Sequence, residues 1–163
     1  MMRVGSRLLA ILLLGVMSVA CGHYEYRIPP ATVYIPFNTV GDWNTHGIAG
    51  AYTYKIFVKE RQIPANFPYT ALSETGFGGV LLTADMHGNF IAYDLACPVE
   101  MRRDVRLTVD AEKFVARCDK CGSTFDVFDN YGIPLSGPAH QYDYRLTRYY
   151  VGPGGNGEYM IVR

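Results

Sequence analysis

Charged residues are scarce in this sequence, and neither sign dominates. They make up 18% of the 163 positions, with fifteen Lys and Arg against fifteen Asp and Glu. Nucleic-acid-binding domains usually carry a basic face, so the charge balance excludes this class of partner. Paired carboxylates, a nucleophilic triad and a phosphate-binding loop are also missing. We therefore predict no catalytic residues and favour a role other than an enzyme.

Cysteine is limited to four residues, too few for a disulfide-dense scaffold but enough for one metal site or one bridge. Helical patterning is missing between residues 41 and 77, where no stretch keeps a 3.6-residue apolar period for a dozen residues. The sequence does contain 49% hydrophobic residues, thirteen Tyr, eight Phe, seventeen Gly and nine Pro. This composition excludes intrinsic disorder and favours short strands joined by tight turns.

Three pairs of apolar runs, each pair joined by turn residues, predict β-hairpins in the second half of the chain. The paired runs are 80–84 with 90–95, 105–109 with 114–117, and 146–151 with 158–162. Further strands are predicted at 32–37, 52–59 and 124–128, with loops across most of 41–77 and a short helical turn at 71–74. The prediction is an all-β domain over residues 31–163.

The first twenty residues have the pattern of a secretory signal. Arg3 and Arg7 precede an apolar run over residues 8–19, well short of the roughly 20 residues that a transmembrane helix needs. Small residues follow directly before Cys21, which resembles the lipobox of bacterial lipoproteins. The resemblance implies that Cys21 is lipidated and becomes the mature N-terminus. The alternative is an ordinary signal peptide that leaves Cys21 as a free or bridged thiol.

Loss of the signal would change both the charge and the expected location. Residues 1–20 contain no Asp or Glu, so their removal leaves thirteen basic against fifteen acidic residues and a net charge of minus 2. Residues 21–30 are predicted to be a tether. We expect a cell-envelope protein held at the outer membrane by lipid on Cys21, in a compartment where disulfides persist.

Three further cysteines form a candidate site. Cys97 directly follows an apolar strand, and Cys118 and Cys121 form a Cys-x-x-Cys turn between two strands. Two thiolates at this spacing can face one metal ion. Ser123 follows in the same turn, where its hydroxyl is predicted to hydrogen bond to backbone or sulfur rather than act as a nucleophile.

The motifs around these cysteines occur in a characteristic order. They are Cys97-Pro98-Val99, eighteen residues forming a hairpin, Cys118-Asp119-Lys120-Cys121-Gly122-Ser123, Thr124-Phe125-Asp126-Val127, Gly132-Ile133-Pro134 and Gly137-Pro138-Ala139. This order resembles the Rieske iron–sulfur domain over residues 79–163, and the part of the chain before residue 79 is similar in character to Rieske-like lipoproteins of Bacteroidetes. The resemblance implies an antiparallel β-sandwich with a small cluster-binding-type subdomain at about residues 96–138.

The ligand positions of that family are only half filled. A Rieske cluster takes two Cys on one iron and two His on the other. Cys97 and Cys118 match the Cys pair, whereas Val99 and Cys121 stand at the His positions. An ordinary Rieske centre therefore cannot assemble, and His140 or Glu100 is the predicted source of a further ligand. His87 lies a strand length away and is excluded; His23 and His46 are left unplaced.

Three interpretations of the site stay open. Cys97, Cys118 and Cys121 hold a metal, either Zn or a 2Fe–2S cluster with nonstandard ligands; or Cys97 forms a disulfide with Cys118 or Cys121; or all three are buried thiols. The predicted function is accordingly a membrane-anchored Rieske-like lipoprotein for electron transfer or metal binding, with an unidentified protein or redox partner. The alternative is a cofactor-free or disulfide-stapled structural or binding module of the cell envelope.

Overall fold

The computed structural model describes residues 26–154 and 159–163. Within these ranges the chain forms eleven strands in two antiparallel sheets, with two short α-helices and one 3-10 turn. The predicted all-β fold is confirmed. No helix in the described part of the chain is long and apolar enough to cross a membrane.

The larger sheet has seven strands, in the order β2-β4-β5-β10-β11-β1-β3. Its strands are β1 (Val33–Pro36), β2 (Tyr54–Phe57), β3 (Glu74–Thr75), β4 (Val80–Ala84), β5 (Phe90–Asp94), β10 (Arg148–Pro153) and β11 (Tyr159–Val162). The first and third predicted hairpins are both present, as the antiparallel pairs β4–β5 and β10–β11.

The smaller sheet is a four-stranded meander with strands in sequence order. It comprises β6 (Leu107–Asp110), β7 (Val115–Cys118), β8 (Thr124–Asp126) and β9 (Ile133–Ser136). The second predicted hairpin is the pair β6–β7, and the strand predicted at 124–128 is β8, which ends two residues earlier than expected.

Strands β4 and β5 form a wall with a hydrophobic core on each side. Because successive side chains of a strand point to opposite faces, Leu82 joins the core of the larger sheet while Leu81 joins a second core shared with the smaller sheet. On β5, Ala92 and Tyr93 divide in the same way. Burial on both faces explains why this part of the sequence reads as continuous apolar runs rather than as an alternating pattern.

Two predictions for residues 41–77 are wrong. The chain forms α1 (Val40–His46), begun by a capping box in which the Thr39 side chain accepts from the Asp42 N–H and the Asp42 side chain accepts from the Thr39 N–H. Seven residues are too few to establish a helical period, so the sequence predicts loop here. At 71–74 the structure has a turn that leads into β3 instead of a helical turn, and the 3-10 turn occurs at Lys59–Arg61.

Candidate metal centre

Two loops bring the three cysteines together, and the first is held by a buried carboxylate. Asp94, at the end of β5, accepts hydrogen bonds from the backbone N–H groups of Phe77, Gly78 and Ala96 at 2.9, 3.1 and 2.8 Å. The Tyr149 hydroxyl donates to the same carboxylate at 2.5 Å. Burial raises the pKa of Asp94, although these hydrogen bonds act in the opposite direction. The carboxylate thus fixes the point from which the Cys97 loop departs.

Backbone hydrogen bonds then close the Cys97 loop on itself and on the smaller sheet. The Cys97 N–H donates to the Val105 carbonyl at 3.0 Å, and the Met101 N–H donates to the Cys97 carbonyl at 2.9 Å. An isolated bridge between Ala96 and Arg106 continues this pairing to the start of β6. The Cys97 side chain is therefore fixed from both ends of its loop.

The second loop is a tight turn that leaves β7 at Cys118 and enters β8. The Gly122 N–H donates to the Cys118 carbonyl, and the Cys118 N–H donates to the Ser123 carbonyl, both at 2.9 Å. Gly122 has a φ of +73°, a conformation that glycine adopts without the strain of a side chain. This geometry turns the Cys118 and Cys121 side chains to the same side.

The three sulfur atoms lie within 4.8 Å of one another, and the Sγ atoms of Cys97 and Cys121 are 3.6 Å apart. A tetrahedral ion with metal–sulfur bonds of about 2.3 Å places its sulfurs about 3.8 Å apart. The spacing of the three thiols therefore fits one metal ion. Cys97 and Cys118 are buried, whereas Cys121 is partly exposed, and all three are free thiols.

Ser123 links the second loop to the helix that follows the smaller sheet, α2 (Gly137–Gln141). Its Oγ lies 3.2 Å from the Cys121 Sγ and accepts a hydrogen bond from the Ala139 N–H at 3.0 Å. A Cβ at Gly137 would lie 2.8 Å from the Ser123 Oγ, so only glycine permits this approach. The predicted role of Ser123 in backbone and sulfur hydrogen bonding is confirmed.

The two predicted sources of a further ligand are engaged elsewhere. The His140 Nδ1 is 3.0 Å from the Pro134 carbonyl oxygen, and Glu100 forms an ion pair with Lys120. Among the described residues, the three cysteines alone form a close group of metal-ligating side chains. The structure therefore does not bring His140 or Glu100 into the site.

The remaining histidines do not join the cysteines either. His87 lies in the β4–β5 turn, where its backbone N–H donates to Asp85, as its exclusion predicts. His46 is in the last turn of α1, edge-on to Phe67. His23 and Cys21 lie outside the described residues.

A 2Fe–2S cluster does not fit this arrangement. Its four protein ligands are divided between two irons, so the two ligand pairs lie on opposite sides of the iron–sulfide core. Val99, at the first His position, has no donor atom and packs against the core shared by the two sheets. Cys121, at the second His position, has its sulfur beside that of Cys97 rather than across a core from it. The three thiols could hold one metal ion, but they do not provide the ligand arrangement of this cluster.

The environment makes the thiols unequal. Desolvation raises the pKa of Cys97, and the neighbouring Cys118 thiol adds to the effect, while the backbone of Glu100 and Val99 opposes it. Partial burial also disfavours the Cys121 thiolate, but hydrogen bonding to Ser123 and to the other two thiols outweighs this and lowers its pKa. Cys121 is thus the most accessible of the three thiols and ionises more readily than Cys97, so it is the expected first ligand of an incoming ion.

Sequence reasoning missed two side chains that shape this site. Asp94 is a lone carboxylate within the apolar run Phe90–Ala96, and a charge in such a run is a signal that buried donors face it. Lys120, between the two cysteines of the turn, pairs with Glu100 and so ties the two loops together. A cross-loop pair of this kind has no signature in the sequence.

Comparison with known proteins adds no relative: no family model matches the chain, and no curated protein matches it. The fold and the site therefore define the class by themselves. It is an all-β protein in which three close cysteines could bind a metal.

Proposed function

We propose that this protein is a membrane-anchored, Rieske-like envelope lipoprotein whose Cys97, Cys118 and Cys121 bind a single metal ion as thiolates. The observation that carries the proposal is the convergence of three sulfurs from two separate loops within 4.8 Å. Two of these thiols are buried, and buried cysteines that serve only for packing have no need to face one another.

The order of elements around the site supports the Rieske-like part of the proposal. A cysteine loop follows β5, the β6–β7 hairpin separates it from the Cys-x-x-Cys-Gly-Ser turn, and the Gly-Pro-Ala segment packs on Ser123. This is the order of motifs that the Rieske resemblance implies. The difference lies in the ligands, so the proposed role is metal binding and not electron transfer through a two-iron cluster.

Metal analysis of the full-length protein, purified anaerobically in detergent, tests the proposal. We expect about one equivalent of metal per chain and no acid-labile sulfide, since a single ion needs no bridging sulfide. The double variant Cys97→Ser/Cys118→Ser should lose the metal, whereas His140→Ala should retain it. Metal-free protein with three reduced thiols would contradict the proposal. Iron together with acid-labile sulfide would instead support a 2Fe–2S cluster.

A disulfide-stapled, cofactor-free envelope module is the second candidate, and the 3.6 Å separation of the Cys97 and Cys121 sulfurs favours it. A bridge here would join the two loops and contribute about 3 kcal/mol. Alkylation of protein taken directly from the envelope, followed by mass spectrometry, separates the two candidates. Alkylation of all three thiols after metal removal supports metal binding, and a peptide linked through Cys97 supports the staple.

Membrane anchoring through Cys21 is tested separately, because it depends on a different part of the chain. We expect Cys21→Ser to leave the membrane fraction, while Cys97→Ser stays with it. The second variant controls for loss of the fold or of the metal. Continued membrane association of Cys21→Ser would contradict lipid anchoring and leave metal binding untouched.

A further inference from the structure

We infer that the ion bound by Cys97, Cys118 and Cys121 is a soft, three-coordinate cation of the Cu(I) class, held by thiolates alone and exchanged at Cys121. The inference rests on the proposed function, which requires only that some metal binds. It adds the chemical class of the ion, the number of its ligands and the side from which it arrives.

The number of donors is the first argument. Three thiols converge, and no fourth His, Cys, Asp or Glu of the described chain joins them. Protein-bound Zn in a structural site almost always takes four protein ligands in a closed tetrahedron. Cu(I) is satisfied by three thiolates, and soft sulfur ligands select it over harder ions. A site that ends at three sulfurs therefore matches Cu(I) better than structural Zn.

The side chains around the thiols give no hidden fourth donor. Val99 is apolar, and the Ser123 Oγ already accepts from the Ala139 N–H while touching the Cys121 sulfur. Glu100 is paired with Lys120. Among the residues that the structure describes, these oxygen donors are engaged elsewhere, and the three cysteine sulfurs are the side-chain donors that converge.

Burial is the second argument. Cys97 and Cys118 have no exposed surface and pack in the core that includes Leu107, Ala116 and Phe125. Such a wall keeps water away from the inner face of a bound ion, which favours Cu(I) because a dry apolar shell raises the potential for its oxidation to Cu(II).

Access is the third argument, and it gives the exchange side. Cys121 is the one partly exposed thiol of the three, so an ion can reach the site by ligand exchange at this sulfur. Each ligating thiol releases its proton to solvent when the ion binds.

The test uses full-length reduced protein under nitrogen, titrated with Cu(I) as its bicinchoninate complex and in parallel with Zn(II) against a chromophoric chelator. We expect one equivalent of Cu(I), and X-ray absorption that shows three sulfur ligands and no nitrogen or oxygen ligand. Cys121→Ser should lower Cu(I) affinity by more than about 100-fold, beyond the 10- to 100-fold loss usual for outer-shell changes. His140→Ala, the matched control, should not change it.

The possible outcomes distinguish Cu(I) binding by three thiolates from metal binding in general. A fourth nitrogen or oxygen ligand, or retention of Zn or iron in preference to Cu(I), would overturn this inference and leave metal binding in place. Failure of the reduced protein to bind any of these metals would overturn both. Because a cysteine variant can misfold, Cu(I) protection of Cys121 against iodoacetamide is measured in the unmutated chain, and lack of protection would also overturn the inference.

Discussion

The two sheets of this protein are stabilised by different means. In the larger sheet, every residue of β4 is buried, and the β4–β5 hairpin has a core on each face. The strands of the smaller sheet are three or four residues long, and β7 and β9 each present exposed side chains. The smaller sheet thus buries one face only, against the wall that β4 and β5 provide.

The comparison explains where the cysteines lie. A sheet with two buried faces needs no cross-link, because burial of apolar area supplies its stability. The smaller sheet is short and has one core. Cys118 and Cys121 lie at its β7–β8 turn, and Cys97 lies in the loop that joins β5 of the larger sheet to β6. A metal or a disulfide at this point would stabilise the part of the molecule that has the least apolar burial of its own.

The largest expected loss of stability comes from substitutions at two adjacent residues of β4, each of which faces a different core. Leu81→Ala and Leu82→Ala each remove a fully buried side chain and should each lower the free energy of unfolding by about 2–5 kcal/mol. Only Leu81 contacts the core that contains the thiols. We therefore expect Leu81→Ala, but not Leu82→Ala, to speed alkylation of Cys118 in the folded state. Equal rates of Cys118 alkylation in the two variants would contradict the division into two separate cores.

Oxidation of the site should stabilise one sheet only. When a small disulfide oxidant accepts two electrons and two protons from the Cys97 and Cys121 thiols, the new bond should stabilise the protein by about 3 kcal/mol. Cys118→Ser keeps this pair and serves as the matched control for Cys121→Ser, which loses it. Hydrogen exchange should slow in β7 and β8 for the first variant and not for the second. Equal slowing in β4 would show that the sheets open together.

Two carboxylates, one in each sheet, should contribute to the free energy of unfolding with opposite dependence on pH. Burial raises the pKa of Asp94 above its unfolded value, so its contribution to stability is present at low pH and is lost as pH rises above about 4. Burial also acts on Asp126, but hydrogen bonds from Asn130 and backbone N–H groups outweigh it and lower the pKa. Its contribution is present above about pH 4 and is lost as pH falls.

Unfolding free energies measured from pH 3 to 7 test these signs. Relative to Asp94→Asn, the unmutated protein should lose stability as pH rises, and relative to Asp126→Asn it should gain stability. Asp94→Asn should also cost about 1–3 kcal/mol at low pH, because the new amide cannot accept all of the buried hydrogen bonds. The same sign for both variants would contradict the assignment of Asp94 as the buried anchor of the Cys97 loop.

The smallest expected effect concerns ion pairs at the loops. Glu100 pairs with Lys120 across the two loops, whereas Asp104 pairs with Arg102 within one loop and both partners are well exposed. Glu100→Gln should therefore lower stability by about 1 kcal/mol, and Asp104→Asn by about 0.5 kcal/mol or less. Thermal unfolding at low and high salt measures both. A larger loss of stability for Asp104→Asn than for Glu100→Gln would contradict the role of the Glu100–Lys120 pair in joining the two loops.

Sequence patterns predicted the hairpins well because each strand pair is local and is joined by turn residues. They also placed Cys97, Cys118 and Cys121 in two loops, since cysteines that follow apolar strands end up at a sheet edge. They failed on α1, whose capping box involves Thr39 and Asp42 but whose length gives no period. They also failed on the further ligand, because the His140 ring contacts the carbonyl of Pro134 in the preceding strand, and residue types alone do not indicate this contact.

The position of β1 in the larger sheet has a mechanical consequence. The strand lies between β11 and β3, paired antiparallel to both, and its neighbour β11 ends at the C-terminus. A force applied to the N-terminal segment would therefore act as shear along the hydrogen bonds that join β1 to β11 and to β3. The force would act on β1, β11 and β3. The loops that carry the thiols follow β5 and β7, which do not pair with β1.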